Sequence, residues 1–314
     1  MKIYQGFDSL THWDKTRGAV VTVGTFDGVH TAHREILRLV TEKAQQTGAQ
    51  SVVITFSPHP RTFFSPEGDL KILSDNREKA FLIEQTGIDA LLIQPFSRPF
   101  AALTAEEFLK DLLIDRLGTC AVVTGYDHSF GREKQNAYEF LQKTKDIYPV
   151  EAIRVPRMEC DGITISSSSV RRALEGGDIQ LATKLLGRPY NLYGEVVHGK
   201  QLGRTLGFPT ANIRLPEPSK LLPPDGVYAV RVILNGASFS GMMNIGMRPT
   251  VDDYPGRSVE VNIFDFDRDI YGQTLAVEII AWVRSEVKFS SIEHLKAQLE
   301  KDAAACREIA LFGK

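Results

Sequence analysis

The stretch Ala19-Val20-Val21-Thr22-Val23-Gly24-Thr25-Phe26-Asp27-Gly28-Val29-His30-Thr31-Ala32-His33 decides how the first half of the chain folds. Its β-branched start reads as a strand over 19–24, its glycines as a tight turn, and residues 32–46 carry apolar side chains at helical spacing. A strand, a turn and a helix N-terminus in that order aim backbone N–H groups and the positive end of a helix dipole past the C-terminal edge of a parallel sheet. Such an edge is a phosphate site. His30 and His33, three apart at the helix start, can both face it and donate to phosphate oxygens. Spacing alone leaves two other readings open, a metal pair and two surface histidines.

Outward from this stretch, β-rich runs at 51–57, 89–94, 120–125 and 150–155 alternate with amphipathic segments such as 105–117. That alternation is the signature of a parallel sheet covered by crossover helices, a Rossmann-like α/β domain. After Gly187-Arg188-Pro189 the pattern changes to runs at 191–198, 227–234, 238–245, 258–266 and 274–284, rich in Val, Ile, Tyr and Phe and separated by Gly, Pro, Asn and Asp. This reads as an antiparallel β-barrel or sandwich. A closing helix follows, with Ser290 expected as its cap, Glu293 completing a capping box, and an apolar stripe through Ile292, Leu295, Leu299, Ala303 and Cys306. With 314 residues, two domains are expected, 1–186 and 187–314.

Lys+Arg 37 against Asp+Glu 39 gives a net charge of -2, which argues against duplex nucleic acid or an anionic membrane as the main partner. Small anionic molecules need only local positive charge and remain open. Cys120, Cys160 and Cys306 are far apart, without a CxxC pair, and read as reduced thiols. No apolar run approaches the roughly 18 residues that span a bilayer, and the first residues lack the pattern of a signal peptide. The expected location is the cytoplasm.

A second helix start, Ile165-Ser166-Ser167-Ser168-Ser169-Val170-Arg171, places hydroxyls and a guanidinium together. Capping explains one or two of these serines; four ahead of an arginine suit a triphosphate. Together the two elements resemble the His-x-Gly-His and Ile-Ser-Ser-Ser/Thr-x-x-Arg signatures of nucleotidylyltransferases. The segments 24–30, Thr55-Phe56-Ser57-Pro58-His59-Pro60 and Gly125-Tyr126-Asp127-His128-Ser129-Phe130-Gly131 resemble bacterial FAD synthetases in particular. The resemblance implies transfer of AMP from ATP to FMN. It implies His30 and His33 as catalytic, Gly24, Thr25, Phe26, Asp27, Gly28, Ser166, Ser167, Ser168 and Arg171 as nucleotide-binding, and Pro58, His59 and Asp127 as flavin-binding. Two features depart from the family pattern: Ala32 stands where the signature has Gly, and His128 with residues 133–136 replaces the usual aromatic and small or basic residues.

In the second half, Gly194-Glu195-Val196-Val197-His198-Gly199-Lys200-Gln201 is a near miss for a Walker A loop, because Gln201 stands where a magnesium-binding hydroxyl belongs. The next segment is more informative. In Gly203-Arg204-Thr205-Leu206-Gly207-Phe208-Pro209-Thr210-Ala211-Asn212, glycines let backbone approach phosphate, and Thr210 and Asn212 offer oxygens to a hard cation. With 224–230, 244–250, Val259-Glu260-Val261 and the run to Phe289, the segment resembles the riboflavin kinase module. That resemblance implies a six-stranded barrel, Mg2+ on Thr210 and Asn212, and Glu260 as general base. It also implies Gly203, Arg204, Gly207 and Asn244 on the nucleotide, and Arg284 and Phe289 on the flavin.

The expected function is therefore ATP-dependent conversion of riboflavin to FMN and of FMN to FAD, with flavins and ATP as the small-molecule partners. Two rivals are a kinase whose N-terminal half is vestigial, as Ala32 would suggest, and a flavin-sensing regulator that consumes no ATP.

Overall fold

A computed structural model describes the chain except for residues 66–69, 200–202, 204–205, 248–255 and 313–314. It divides into two compact units, Met1–Ser167 and Ser168–Lys314.

The first unit is built on a six-stranded parallel sheet of β1 Lys2–Gln5, β2 Ala19–Val23, β3 Gln50–Ser57, β4 Ala90–Pro95, β5 Thr119–Thr124 and β8 Glu151–Arg154, in the order β1-β4-β3-β2-β5-β8. Two short hairpin strands, β6 Ser129–Phe130 and β7 Gln135–Asn136, lie between the last two. A further small pair, β9 Glu159–Cys160 and β10 Ile163–Thr164, follows β8. Every residue of β2 is buried: Ala19, Val21 and Val23 pack on one face of the sheet, and Val20 joins Leu37 and Val40 on the other. A strand buried on both faces reads as a continuous apolar run, which is why residues 19–23 do not alternate. Leu37 and Val40 come from α1 Thr31–Thr47, which ends at Gly48 in the left-handed conformation.

Two findings here differ from the sequence reading. Strand β1 has no counterpart in the sequence pattern, because this four-residue strand at the sheet edge is mostly exposed and so carries no apolar periodicity. The segment expected as a helix over 105–117 is a short α5 Ala105–Glu107 followed by a π-helical stretch, Phe108–Ile114, which still buries Phe108, Leu109 and Leu113. The other short helices are α2 Pro60–Phe64, α3 Asn76–Glu84, α4 Arg98–Ala101 and α6 Ala137–Thr144.

The second unit is a closed antiparallel barrel, β11 Tyr190–Val197, β12 Ala211–Arg214, β15 Arg257–Ile263, β14 Ala237–Met247, β13 Gly226–Leu234 and β16 Thr274–Ser285, paired in that order. Strand β11 alternates buried and half-buried residues along its whole length, as a barrel wall with one inward face requires. Helix α7 Ser167–Glu175 leads into this unit, and α8 Ile179–Leu186 packs on β11 and β16. The C-terminal helix, Ile292–Phe312, packs on β13, β14 and β16.

The start of that helix corrects the expected cap. Ser291 rather than Ser290 accepts the His294 N–H at 3.3 Å, while the Ser290 hydroxyl meets His294 Nδ1 at 3.0 Å. Ile292 is 61% exposed and lies outside the apolar stripe, which begins at Leu295 and reaches full burial at Cys306.

Candidate active sites

In the first unit, β2 ends at the turn between Gly24 and His30. Phe26 and Val29 take positive φ angles of 47° and 39°, and Gly28 takes 83°. Left-handed backbone at two non-glycine residues is costly and is held only where the surroundings over-determine it. The determinants are visible. Asp27, 1% exposed, accepts the N–H groups of Leu73 at 2.9 Å and Ser74 at 3.0 Å. The Gly28 N–H donates to the Ser74 hydroxyl at 2.9 Å, and Ser167 Oγ donates to the Asp27 carbonyl at 2.9 Å. The last bond joins the two signature elements directly. Asp27, expected among the nucleotide-binding residues, thus has its carboxylate turned onto backbone donors, where it fixes the loop.

His30 caps α1: its Nδ1 accepts the His33 N–H at 3.3 Å. That bond uses Nδ1 as an acceptor and fixes the plane of the ring at the helix start. The two imidazoles stack at 3.6 Å with 13° between planes, and Phe26 closes on His33 at 4.9 Å. Gly24 and Thr25 line the strand end, Thr25 through a carbonyl that accepts from the Thr55 hydroxyl at 3.0 Å. A Cβ on Gly24 would stand 3.1 Å from the Phe26 ring. Ser166 and Ser167 are half-buried at the start of α7; Ser168 and Arg171 continue that helix in the second unit, Ser168 exposed and Arg171 8% exposed.

Pro58 and His59 lead into α2, which His59 caps by accepting the Arg61 N–H at 3.1 Å. Beside them lies an aromatic group that the sequence reading missed. Phe63, Phe64 and Phe96 pack edge-to-face at 5.3–5.7 Å, with Phe64 65% exposed. The chain of rings continues through Phe100, Phe108 and Phe130 to His128. Asp127 is exposed at its far end and raises the pKa of neighbouring Tyr126, second to the effect of burial.

In the second unit, Glu260 on β15 stands opposite Asn212 on β12 and opposite Asn244 on β14, so three polar side chains share one level of the barrel. Thr210 reaches the same point, its hydroxyl donating to Glu260 Oε2 at 3.4 Å. The turn that presents Thr210 is tight: the Phe208 N–H donates to the Gly203 carbonyl at 2.8 Å, and a Cβ on Gly203 would stand 2.3 Å from the Phe208 oxygen. Gly207 has φ 83°, and Asn262 Nδ2 holds the Pro209 carbonyl at 2.7 Å. Arg204 lies outside the described residues.

Thr210, Glu260, Asn244 and Asn262 line a cavity of about 250 Å³ with Phe208, Met242, Leu295 and Phe289 among its apolar walls; Asn212 pairs with Glu260 on the barrel wall but is not part of the lining. Arg284 also lines it, but its guanidinium is bound by Asp302, with Nε and Nη2 contacts of 2.7–3.0 Å, and lies 5.8 Å from the Phe289 ring. Arg284, the residue that the resemblance puts on the flavin, thus lines the cavity with its guanidinium held by a buried carboxylate of the C-terminal helix. Thr210 and Asn212 supply neutral oxygens, the donor type Mg2+ takes when phosphates provide the rest of its shell. Among the described residues no cluster of three or more His, Cys, Asp or Glu could hold a metal by itself.

A strained strand-to-helix turn at a parallel-sheet edge, and a single carboxylate set level with two amides and a hydroxyl beside an apolar barrel cavity, define a two-module enzyme of nucleotide chemistry. Residues 13–169 match the FAD synthetase family and residues 186–310 the riboflavin kinase family. The bifunctional riboflavin kinase/FMN adenylyltransferases of Haemophilus influenzae and Pseudomonas fluorescens are both 38% identical to the chain. The first match covers 93% of this chain and 94% of the relative, the second 99% and 98%. A crystal structure described as a macrolide-efflux protein from Streptococcus pneumoniae superposes with a TM-score of 0.86 at 33% identity, covering 97% of this chain and 98% of its own. The chain belongs to the bifunctional riboflavin kinase/FMN adenylyltransferase family. No helix among the described residues is long and apolar enough to cross a membrane.

Proposed function

We propose that both modules of this chain are active: residues 187–314 phosphorylate riboflavin, and residues 1–186 adenylylate the FMN so formed. The observation that carries this reading is the co-occurrence of two constellations in one chain, the Asp27–Ser167 junction of the cradle and the Thr210–Asn212–Glu260–Asn244 row.

In the kinase half the riboflavin hydroxyl attacks the γ-phosphorus of ATP, the bond to the β-phosphate oxygen breaks, and ADP leaves. The attacking alcohol is neutral, so a carboxylate that accepts its proton assists the step, and Glu260 takes that role. Thr210 and Asn212 would hold Mg2+, which neutralises phosphate charge when bound. Asn244, Gly203 and Gly207 contact the nucleotide. The apolar cavity wall with Phe289 receives the isoalloxazine ring, and Arg284 keeps that wall in place through Asp302.

In the adenylyltransferase half the FMN phosphate attacks the α-phosphorus of ATP and pyrophosphate leaves. The nucleophile is already an anion, so the site needs position and charge stabilisation, not a base. His30, His33, the α1 N-terminus, Ser166, Ser167, Ser168 and Arg171 supply these. The exposed Phe64 beside Pro58 and His59 gives the flavin ring a stacking surface, with Asp127 at the polar end of the same aromatic chain. The enzyme acts in the cytoplasm, where ATP is available and its three unpaired cysteines stay reduced.

Incubation with riboflavin and Mg-ATP, followed by separation of the flavins, tests the reading. Both FMN and FAD should form. FMN without FAD supports a vestigial N-terminal half, and flavin binding without ATP turnover supports a sensor.

A further inference from the structure

Lys79, on the inner face of α3, is 5% exposed. Lysine is almost never this buried unless paired, because an ammonium without partners loses its hydration. Among the described residues it makes one hydrogen bond, Nζ donating to Thr55 Oγ1 at 3.2 Å, and no ion pair. That contact ties it to the phosphate loop, since the Thr55 hydroxyl donates in turn to the Thr25 carbonyl. Burial pushes the ammonium down to about 8, and two carboxylates, Asp27 and Asp75, pull it back up. Asp27 sits beneath the cradle on the Leu73 and Ser74 N–H groups; Asp75 caps α3 through the Glu78 N–H at 2.8 Å.

Two fixed carboxylates therefore stand behind a site that must gather the polyphosphate of ATP and the phosphate of FMN. Uncompensated, they would oppose both anions in a region where charges are poorly screened. We propose that Lys79 is a positioning residue for adenylyl transfer: its buried ammonium offsets Asp27 and Asp75 and holds the Thr25 segment of the loop through Thr55, so that the cradle can accept ATP. The inference rests on the adenylyl-transfer reading of this unit, and deepens it by naming the group that makes the loop tolerant of anions.

The test measures conversion of FMN to FAD over a range of ATP concentrations, with riboflavin phosphorylation by the same full chain as the internal control. Lys79→Met should raise the KM for ATP in FAD formation on the order of tenfold, a size set by one charge acting across a partly screened interior. Riboflavin phosphorylation should be unchanged. Adding Asp75→Asn, which keeps a good helix cap while removing one carboxylate, should recover most of that loss. Asp75→Asn alone, which leaves Lys79 in place, should lower the KM for ATP, and it reports even if Lys79→Met does not fold. A parent-like KM in Lys79→Met, no recovery in the double variant, or a raised KM in Asp75→Asn would each overturn the proposal. A parent chain that makes no FAD from FMN would overturn the adenylyl-transfer reading itself.

Discussion

Asp302 of the C-terminal helix, 1% exposed, holds the guanidinium of Arg284 on β16 through contacts of 2.7–3.0 Å, and Gln298 donates to the same carboxylate at 2.8 Å. The pair fastens a helix to the barrel wall where both border the cavity. The same carboxylate adds to the burial that lifts the Cys306 thiol one helical turn on to about 12, so this cysteine stays protonated and inert at neutral pH.

Removing one member of a buried pair costs about 3–5 kcal/mol, since the other charge is stranded, whereas replacing both by apolar groups is often neutral. Asp302→Ala should lower the unfolding midpoint and raise the KM for riboflavin. The double variant Asp302→Leu with Arg284→Met should recover stability, read from denaturant unfolding. Conversion of supplied FMN to FAD should survive in both.

The imidazole of His128 is half-buried overall, yet its Nε2 has no solvent contact and no hydrogen-bond partner among the described residues. Burial drives its pKa down to about 4, with Asp127 opposing the shift. The unfolded chain protonates this histidine near 6.5, so its contribution to stability is complete above that pH and is lost as pH falls from about 6.5 towards 4. The loss amounts to at most about 3 kcal/mol. His128→Phe removes the orphaned nitrogen and should both raise the unfolding midpoint at pH 5 and flatten its dependence on pH. An unchanged slope between pH 7 and 5 would show that the imidazole gains a proton without cost.

Ala32 is the second residue of α1, two positions beyond the His30 cap, and half-buried beside the cradle. If its methyl group crowds the phosphate path, Ala32→Gly should raise the rate of FAD formation from FMN and leave riboflavin phosphorylation alone. Glycine in a helix costs up to about 1 kcal/mol, so a small drop in stability should accompany the gain. Equal or slower FAD formation would show that the methyl group is not in the way.

Much of this architecture is legible in the sequence because burial writes itself as periodicity. Residues 19–23, apolar but for Thr22, carry no polar face and so mark an inner parallel strand, and 227–234 and 274–284 announce long barrel strands. Strands β1 and β12, four residues each, are too short for any period to register. Ser290 and Ser291 both suit a helix start, and the choice between them rests on which backbone N–H each hydroxyl meets. Two buried charges leave a signal in the sequence. Asp302 falls seven residues after Leu295, three after Leu299 and four before Cys306, a charged residue within the apolar stripe; Lys79 stands four before fully buried Ile83. A charge at a core-facing helical position points to a buried partner elsewhere in the fold. The partners themselves, Arg284 for one and the Thr55–Thr25 relay for the other, come from tertiary packing that spacing does not encode.

Glu260 separates the two chemistries. It faces the Thr210 hydroxyl at 3.4 Å and lies level with Asn212 and Asn244, in the second unit, while the cradle residues up to Ser167 belong to the first. Glu260→Gln keeps the size and hydrogen-bonding reach of the side chain but removes the carboxylate that accepts the alcohol proton. General-base assistance is worth about 10²–10⁴ in rate, so riboflavin phosphorylation should fall by that order with little change in the KM for riboflavin. FAD formation from supplied FMN should stay near the parent rate, because a phosphate nucleophile needs no base. Normal phosphorylation in this variant would make Glu260 a wall residue and move the search for the base elsewhere. A joint collapse of both activities, with folding intact by thermal unfolding, would mean that the two sites are energetically coupled.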